Sequence, residues 1–523
     1  MDGAVIRRLG LASALALCAG LAFAQAPASA PAPAAAAAGF GGVRELQRIT
    51  GERFTEYCGG CHGAPGTTGR APNLFDQRLL ANRSDEEIFC IVTKGVEGAE
   101  MPAFGEILPA EQIWQLIAWL RLEADTAQPR PQFVADPDGV VVASEQQKFR
   151  IEVVARGLDT PWGLAFLPDG RLLVTERAGR LRIIDAKAGL RGQAVKNTPP
   201  VWERQDAGLL DVAVDPDYAR TGWIYLSLAE LKPGYLLPPP TVLKPGERPP
   251  NHPSMTVIVR GRLGRNGEWI DQQTLFRAPP DQYTTSGSHY GARFAFDGQG
   301  RLLFSIGERG DMKQAQSLAT AMGKLHRINR DGSIPADNPF AGRPGAVPSI
   351  LSYGHRNPQG LAFDAAGRLW EAEHGPSGGD EINLIRPGAN YGWGVATMGM
   401  QPGISAREAP GMIGPATYYT PTIAPSGIHL YRPGAKQPAR YPRWSGNLFV
   451  AALAGQQLRR LVLDGERIAH QEVLFKAYGR VRAVTTGPDG LLYVLVQQPT
   501  GQGTGQPLSA PTPGLVIRLE PLP

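Results

Sequence analysis

One pattern recurs from residue 147 to the end of this 523-residue chain: an apolar strand, a turn holding Asp, Pro or Gly, and a second apolar strand. It is read in "WGLAFLPDGRLLVTE", "LLDVAVDPDYARTGWIYLSLAE", "ARFAFDGQGRLLFSIGE", "QGLAFDAAGRLWEAEHG", "SGNLFVAALAGQQLRRLVLDG" and "VRAVTTGPDGLLYVLVQ". Short alternating strands bounded by turn residues make antiparallel sheet. Six units spread over residues 147–523 leave about 63 residues for each, enough for a four-stranded blade with some long loops. Few stretches in this region have helical periodicity. The expected fold is therefore mostly β, a six-bladed β-propeller, with an irregular sandwich or barrel as the alternative.

The start of the chain has a different character. Arg7 and Arg8 precede the apolar run "LGLASALALCAGLAFA", which ends on the small residues around Ala24. This predicts a signal peptide over 1–24 and an exported, periplasmic protein. The run is too short for a membrane span and no later segment is long and apolar enough for one, so no membrane span is expected. Residues 25–42 are an Ala/Pro tether of low complexity. The net charge of +5 is modest for this length, and basic residues are interspersed with acidic ones, so nucleic acid is not an expected partner.

Residues 43–125 carry a chemical signature, "YCGGCHG". Cys58 and Cys61 with His62 directly after them have the spacing for covalent haem c attachment. The two thiols form thioethers to the porphyrin, and His62 takes one side of the iron. Met101, in "EMPAFG" 39 residues after His62, is the candidate ligand on the other side; a thioether sulfur there raises the reduction potential. Ile113, Leu116, Ile117 and Leu120 have the i, i+3, i+4, i+7 spacing of a buried helix face. Ser84 and Glu87 have capping-box spacing, and Cys90 beyond them is expected as a core thiol. This segment resembles a class I cytochrome c, an all-α domain. A second Pro-rich stretch, 126–146, reads as the linker to the propeller.

The propeller's histidines lie in Gly-rich polar loops: His289 in "SGSHYGARFAF", His355 in "SYGHRNPQGLAF" and His374 in "EAEHGPSGGDEINLI". Such loops usually carry function, clustered at the channel mouth. The block "SYGHRNPQGLAFDAAGRLWEAEHGPSGGDEINLIRPGANYGW", with "GERGDMKQAQSLATAMGKLHRINRDGSIPADNPFAGRPG" before it, resembles the soluble aldose sugar dehydrogenases of the glucose/sorbosone dehydrogenase family, which use pyrroloquinoline quinone (PQQ).

That resemblance implies roles. PQQ is a planar ortho-quinone with three carboxylates, so its site calls for guanidinium groups and a cation. Arg356 and Asn357 match the pair at the reactive quinone carbonyl. Arg480 and Arg482 match the pair that grips the carboxylates, and their alternation on a strand puts both on one face. His374 and Thr422 match cofactor contacts, and Gln205 is a weaker match. The carbonyls of Gly375 and Pro376 match ligands of the calcium at PQQ; Glu381 and the backbone of Tyr391 match part of a second calcium site. His289 is the implied general base for an aldose hydroxyl, with Arg356 beside it. Three positions depart from the family: Ala454 stands for a Lys, Thr420 for a Trp, and Asp206 for a Gln.

The function implied is oxidation of an aldose at C1 to the lactone, with electrons passed to the chain's own haem and then to a downstream acceptor, a cytochrome or respiratory-chain component. The sequence does not name the sugar. Two alternatives compete with this reading: a calcium-dependent lactone hydrolase on a propeller, and a non-enzymatic binding propeller tethered to a cytochrome c.

Overall fold

A computed structural model describes residues 40–129, 131–185, 189–239, 242, 249–434, 437–500 and 512–523. The predicted signal peptide, its cleavage point and nearly all of the 25–42 tether lie outside the described residues. The chain divides into two compact units, one ending at Ala124 and one beginning at Asp125. No described helix is long and apolar enough to cross a membrane.

The first unit is helical. Phe40–Phe54 runs through a π-helical turn, Thr55–Gly59, into Gly60–His62; Gln77–Ala81, Asp85–Lys94 and Ala110–Thr126 follow. The expected capping box forms, with Ser84 Oγ accepting from Glu87 N at 3.1 Å and Glu87 accepting from Ser84 N at 2.8 Å. Two orphan N–H groups are thereby satisfied at once. The last helix buries Ile113, Leu116, Ile117 and Leu120, as their spacing predicts. It crosses the first helix where Gly51 lies flat against Trp119; a Cβ on Gly51 would stand 3.1 Å from the indole ring. Phe54 and Phe75 pack on the same indole, with ring centroids 5.2 and 6.0 Å away. Cys90, expected in the core, is only half-buried.

The second unit is the six-bladed propeller. Five sheets have four antiparallel strands, and their innermost strands are Pro161–Phe166, Leu209–Val214, Phe294–Phe296, Pro358–Phe363 and Pro425–Leu430. The sixth starts from Arg480–Thr486 and has five strands. Its ladder joins the two ends of the propeller: Lys148–Asp159 pairs with Pro513–Pro521, with Phe149 opposite Pro521 and Asp159 opposite Pro513. Closing the ring by strand pairing removes the edge that an open array would leave.

The turns of the repeat share one chemistry. In the first, third, fourth and sixth blades an Asp carboxylate accepts from the backbone N–H two residues on: Asp169 from Arg171, Asp297 from Gln299, Asp364 from Ala366 and Asp489 from Leu491. A glycine follows each Asp with φ of +88°, +75°, +78° and +78°, a region L-residues rarely enter.

A second device ties neighbouring blades together. Inner strands bulge near the channel, and a hydroxyl from the second strand fills the gap. Ser227 Oγ accepts from Asp211 N at 2.8 Å and donates to Ala292 O of the next blade at 2.7 Å. Ser305 accepts from Arg293 N and donates to Pro358 O, both at 3.0 Å. Thr175 does the same for Gly163 and Leu210.

The linker expected over 126–146 is shorter than its composition suggests. Val134 N donates to Ala477 O at 2.9 Å, and Val141–Ala143 adds the outermost strand to the sixth sheet. Two carboxylates fasten this segment: Asp138 accepts from Val153 N at 2.9 Å and Asp136 pairs with Arg156 at 3.0 Å. Residues 134–146 therefore belong to the propeller, because a short extended strand needs only one partner edge to be recruited.

Candidate active site

Loops at one end of the inner strands bring the predicted residues together. His289, at φ +58°, sits just before the inner strand of the third blade. Its Nδ1 lies 2.7 Å from a carboxylate oxygen of Glu308, a buried residue that follows the second strand of that blade. Burial alone would raise the Glu308 carboxyl; the charge and hydrogen bond of His289, with the charge of Arg356, reverse this and hold it below the usual carboxylate range. A carboxylate on Nδ1 fixes the tautomer that leaves Nε2 free to take a proton.

Arg356 and Asn357 are held from below by Glu373, whose Oε2 accepts from both backbone N–H groups at 2.6 and 3.3 Å. Glu373 Oε1 also faces His355 Nδ1 at 3.2 Å. Arg356 donates to His374 O at 3.1 Å, and Asn357 Nδ2 lies 3.4 Å from His374 Nδ1. Arg480 and Arg482 are separated by the buried Val481 and share a face, as their alternation predicts. Burial and the neighbouring guanidiniums Arg480 and Arg293 push Arg482 well below the usual arginine value, and burial pushes Arg480 down to about 10. His374 is pushed well below the usual histidine range by burial, then by Arg356, Arg482, His289 and Arg480. These groups thus form one cluster, each within reach of the others' charge.

The cluster has unused donors. Arg356 Nε, Arg480 Nε, Arg482 Nε and His374 Nε2 are buried without a hydrogen-bond partner among the described residues. An uncompensated cluster of buried donors is costly unless an anion meets it. A flat tricarboxylate fits that need.

The other predicted residues are placed less directly. Thr422 is exposed and donates to Asp380 at 2.6 Å. Asp380 also accepts from Gly375 N at 2.8 Å, so one buried carboxylate fixes both Thr422 and the Gly375-Pro376 turn. No hydrogen bond reaches the Gly375 or Pro376 carbonyl among the described residues, which leaves these hard oxygens for a cation. Gln205 Oε1 accepts from Asn251 Nδ2 at 3.4 Å. Of the departures, Ala454 is exposed, and Thr420 Oγ1 accepts from Gly379 N at 3.1 Å.

Glu381 belongs to a larger group. Asn383 Nδ2 donates to Glu371, Glu373 and Glu381 at 3.0, 3.2 and 3.2 Å. Ligand atoms of His355, Glu371 and Glu373 lie within 4.8 Å of one another, and the Tyr391 ring stacks on His355 at 4.8 Å. Glu371 Oε1 and Asn383 Oδ1 have no hydrogen-bond partner among the described residues. Burial first, then the charge of Glu373, push the Glu371 and Glu381 carboxyls well up. The oxygen donors around Glu381 suit a calcium ion, and Tyr391 joins them through His355. Glu308, Glu371, Glu373, Asp380 and Asn383 carry no motif of their own.

The helical unit places its own set. His62 is buried, and its Nδ1 lies 2.7 Å from Pro72 O, which leaves Nε2 for iron. Arg70 reaches Cys61 Sγ at 3.4 Å and Glu100 at 2.7 Å, and Tyr57 meets Phe104 edge-on at 6.4 Å. Both contacts bring the Met101 loop beside Cys58, Cys61 and His62. The donors fit a haem held by two thioethers, one imidazole and one thioether sulfur.

A six-bladed propeller with a His–carboxylate pair beside a cationic cavity, preceded by a CxxCH domain, defines an oxidoreductase joined to an electron carrier. The chain belongs to the Glucose / Sorbosone dehydrogenase family, whose model matches residues 158–505. Residues 47–120 match the model for Cytochrome C oxidase, cbb3-type, subunit III. Aldose sugar dehydrogenase YliI of Escherichia coli is 38% identical over 362 residues, covering 67% of this chain and 91% of the relative. Quinoprotein glucose dehydrogenase B of Acinetobacter calcoaceticus is 28% identical over 433 residues, covering 67% and 86%. The structure of the PQQ-bound form of aldose sugar dehydrogenase from Streptomyces coelicolor superposes with a TM-score of 0.55 at 30% identity, covering 72% of this chain and all of that one.

Proposed function

We propose that this protein is an exported quinohaemoprotein that oxidises an aldose at C1 to the lactone with PQQ and calcium, and passes the electrons to its own haem c. The carrying observation is the cluster of donors on Arg356, Arg480, Arg482 and His374 that have no hydrogen-bond partner among the described residues, beside the His289–Glu308 pair. PQQ, when bound, supplies a two-electron acceptor, and haem c a one-electron acceptor.

The residues then have separate duties. Arg480, Arg482 and His374 would hold the cofactor's acidic groups, and Arg356 with Asn357 would supply the positive charge that stabilises negative charge as it develops. The Gly375 and Pro376 carbonyls would hold one calcium, and Glu381, with the backbone of Tyr391, a second. His289 Nε2 accepts the C1 hydroxyl proton, and Glu308 stabilises the imidazolium that results. Downstream, the haem gives its electrons to a cytochrome or another respiratory-chain component in the periplasm.

The reading predicts that protein freed of cofactor and metal is inactive toward glucose, and that activity with a dye returns only when PQQ and calcium are both added. Full activity in a thoroughly chelated, PQQ-free preparation would contradict it.

A further inference from the structure

Asp206 departs from the glutamine expected by resemblance, and its placement gives that departure a meaning. Its backbone N–H donates to Gly287 O at 3.1 Å, and its Oδ2 accepts from the backbone N–H of His289 at 3.3 Å. The carboxylate is thus fastened to the loop that carries the general base. It is exposed, whereas Arg309 is fully buried and Arg356, Arg480 and Arg482 are mostly so. Arg309 donates to the Ser286 and Ser288 carbonyls of that same loop, and the charge of Asp206 reaches Arg309, Arg356, Arg480 and Arg482, so it stands at the edge of the guanidinium cluster. It makes no ion pair with a described residue. The guanidiniums beneath are matched by the acidic groups of the cofactor; Asp206 has no such match and is what an entering molecule meets.

We infer that Asp206 makes the mouth of the His289 pocket select sugars by charge, favouring neutral aldoses and aldoses with an amino group at C2 over acidic ones. The inference rests on the aldose reading above. A sugar whose C1 hydroxyl reaches His289 brings its own charged substituents within a few bonds of that hydroxyl, and so within reach of the Asp206 carboxylate bonded to the His289 N–H. Unit charges about 6 Å apart, in surroundings between protein surface and water, change binding by about tenfold.

Asp206→Asn tests this cleanly, because the amide oxygen still accepts the His289 N–H and only the charge is lost. The measurement is equilibrium binding of the methyl glycosides of glucosamine, glucose and glucuronic acid to the full chain loaded with PQQ and calcium, at mildly acidic pH where the amine is charged. Their blocked C1 keeps turnover out of the readout. The protein should bind the amino glycoside about tenfold more tightly than the glucuronide, and Asp206→Asn should bring that ratio close to one. A ratio that is the same in both proteins overturns the inference alone. No binding of any of the three overturns it together with the aldose reading.

Discussion

His289 holds a backbone conformation uncommon for any residue but glycine, and two carboxylates keep it there. Glu308 bonds its ring at 2.7 Å and Asp206 its backbone at 3.3 Å. Strain of this kind persists only where the surroundings over-determine it. Replacing His289 with Gln should leave cofactor binding intact and lower kcat by about 10²-fold or more, the usual contribution of a positioned base. Glu308→Gln should lower kcat by about 10²-fold as well, since an amide cannot stabilise an imidazolium. Steady-state kinetics beside a cofactor-binding titration separates these effects, and wild-type kcat in either variant would remove that residue from the proton path. His289, Arg356, His374, Arg480 and Arg482 were legible in the sequence from Gly-rich loops, strand alternation and family resemblance. Glu308 and Glu373 were not, because each acts on a partner in a different loop and no spacing along the chain records that contact.

At the scale of the element, the repeat was legible and its phase was not. Five of the six echoes are the inner hairpins of their blades, but "SGNLFVAALAGQQLRRLVLDG" spans the second and third strands of the fifth, Leu448–Ala452 and Gln457–Asp464. The inner strand of that blade, Pro425–Leu430, is separated from Leu448–Ala452 by a long loop, so the two left no hairpin signature. The hydroxyl bridges were equally silent, since Ser227 and Ser305 interrupt apolar strands as any small residue does, and Ala372 and Ala451 take the same place in later blades. Ser305→Ala should cost about 2 kcal/mol, because it strands the buried Arg293 N–H and Pro358 C=O. Denaturant unfolding of the variant against wild type measures this; unchanged stability would mean that the bridge carries no load between the third and fourth blades.

For the whole molecule, one chain joins a propeller dehydrogenase to a cytochrome c domain. The propeller offers a guanidinium cluster beside the His289–Glu308 pair; the helical unit offers Cys58, Cys61 and His62. The CxxCH motif made the helical unit legible at once, because its chemistry depends on residues adjacent in sequence. How the segment after it joins the propeller was not legible, since the Pro-rich composition of 126–146 does not reveal that Val141–Ala143 pairs with Lys148–Arg150. Under the proposed function, sugar oxidation and haem reduction are steps of one molecule. Anaerobic stopped-flow absorbance of the haem, after mixing glucose with the PQQ- and calcium-loaded full chain and no mediator, is the decisive measurement. The haem should be reduced at a first-order rate independent of protein concentration; a haem that stays oxidised while glucose reduces an added small dye would show that the two steps are not joined.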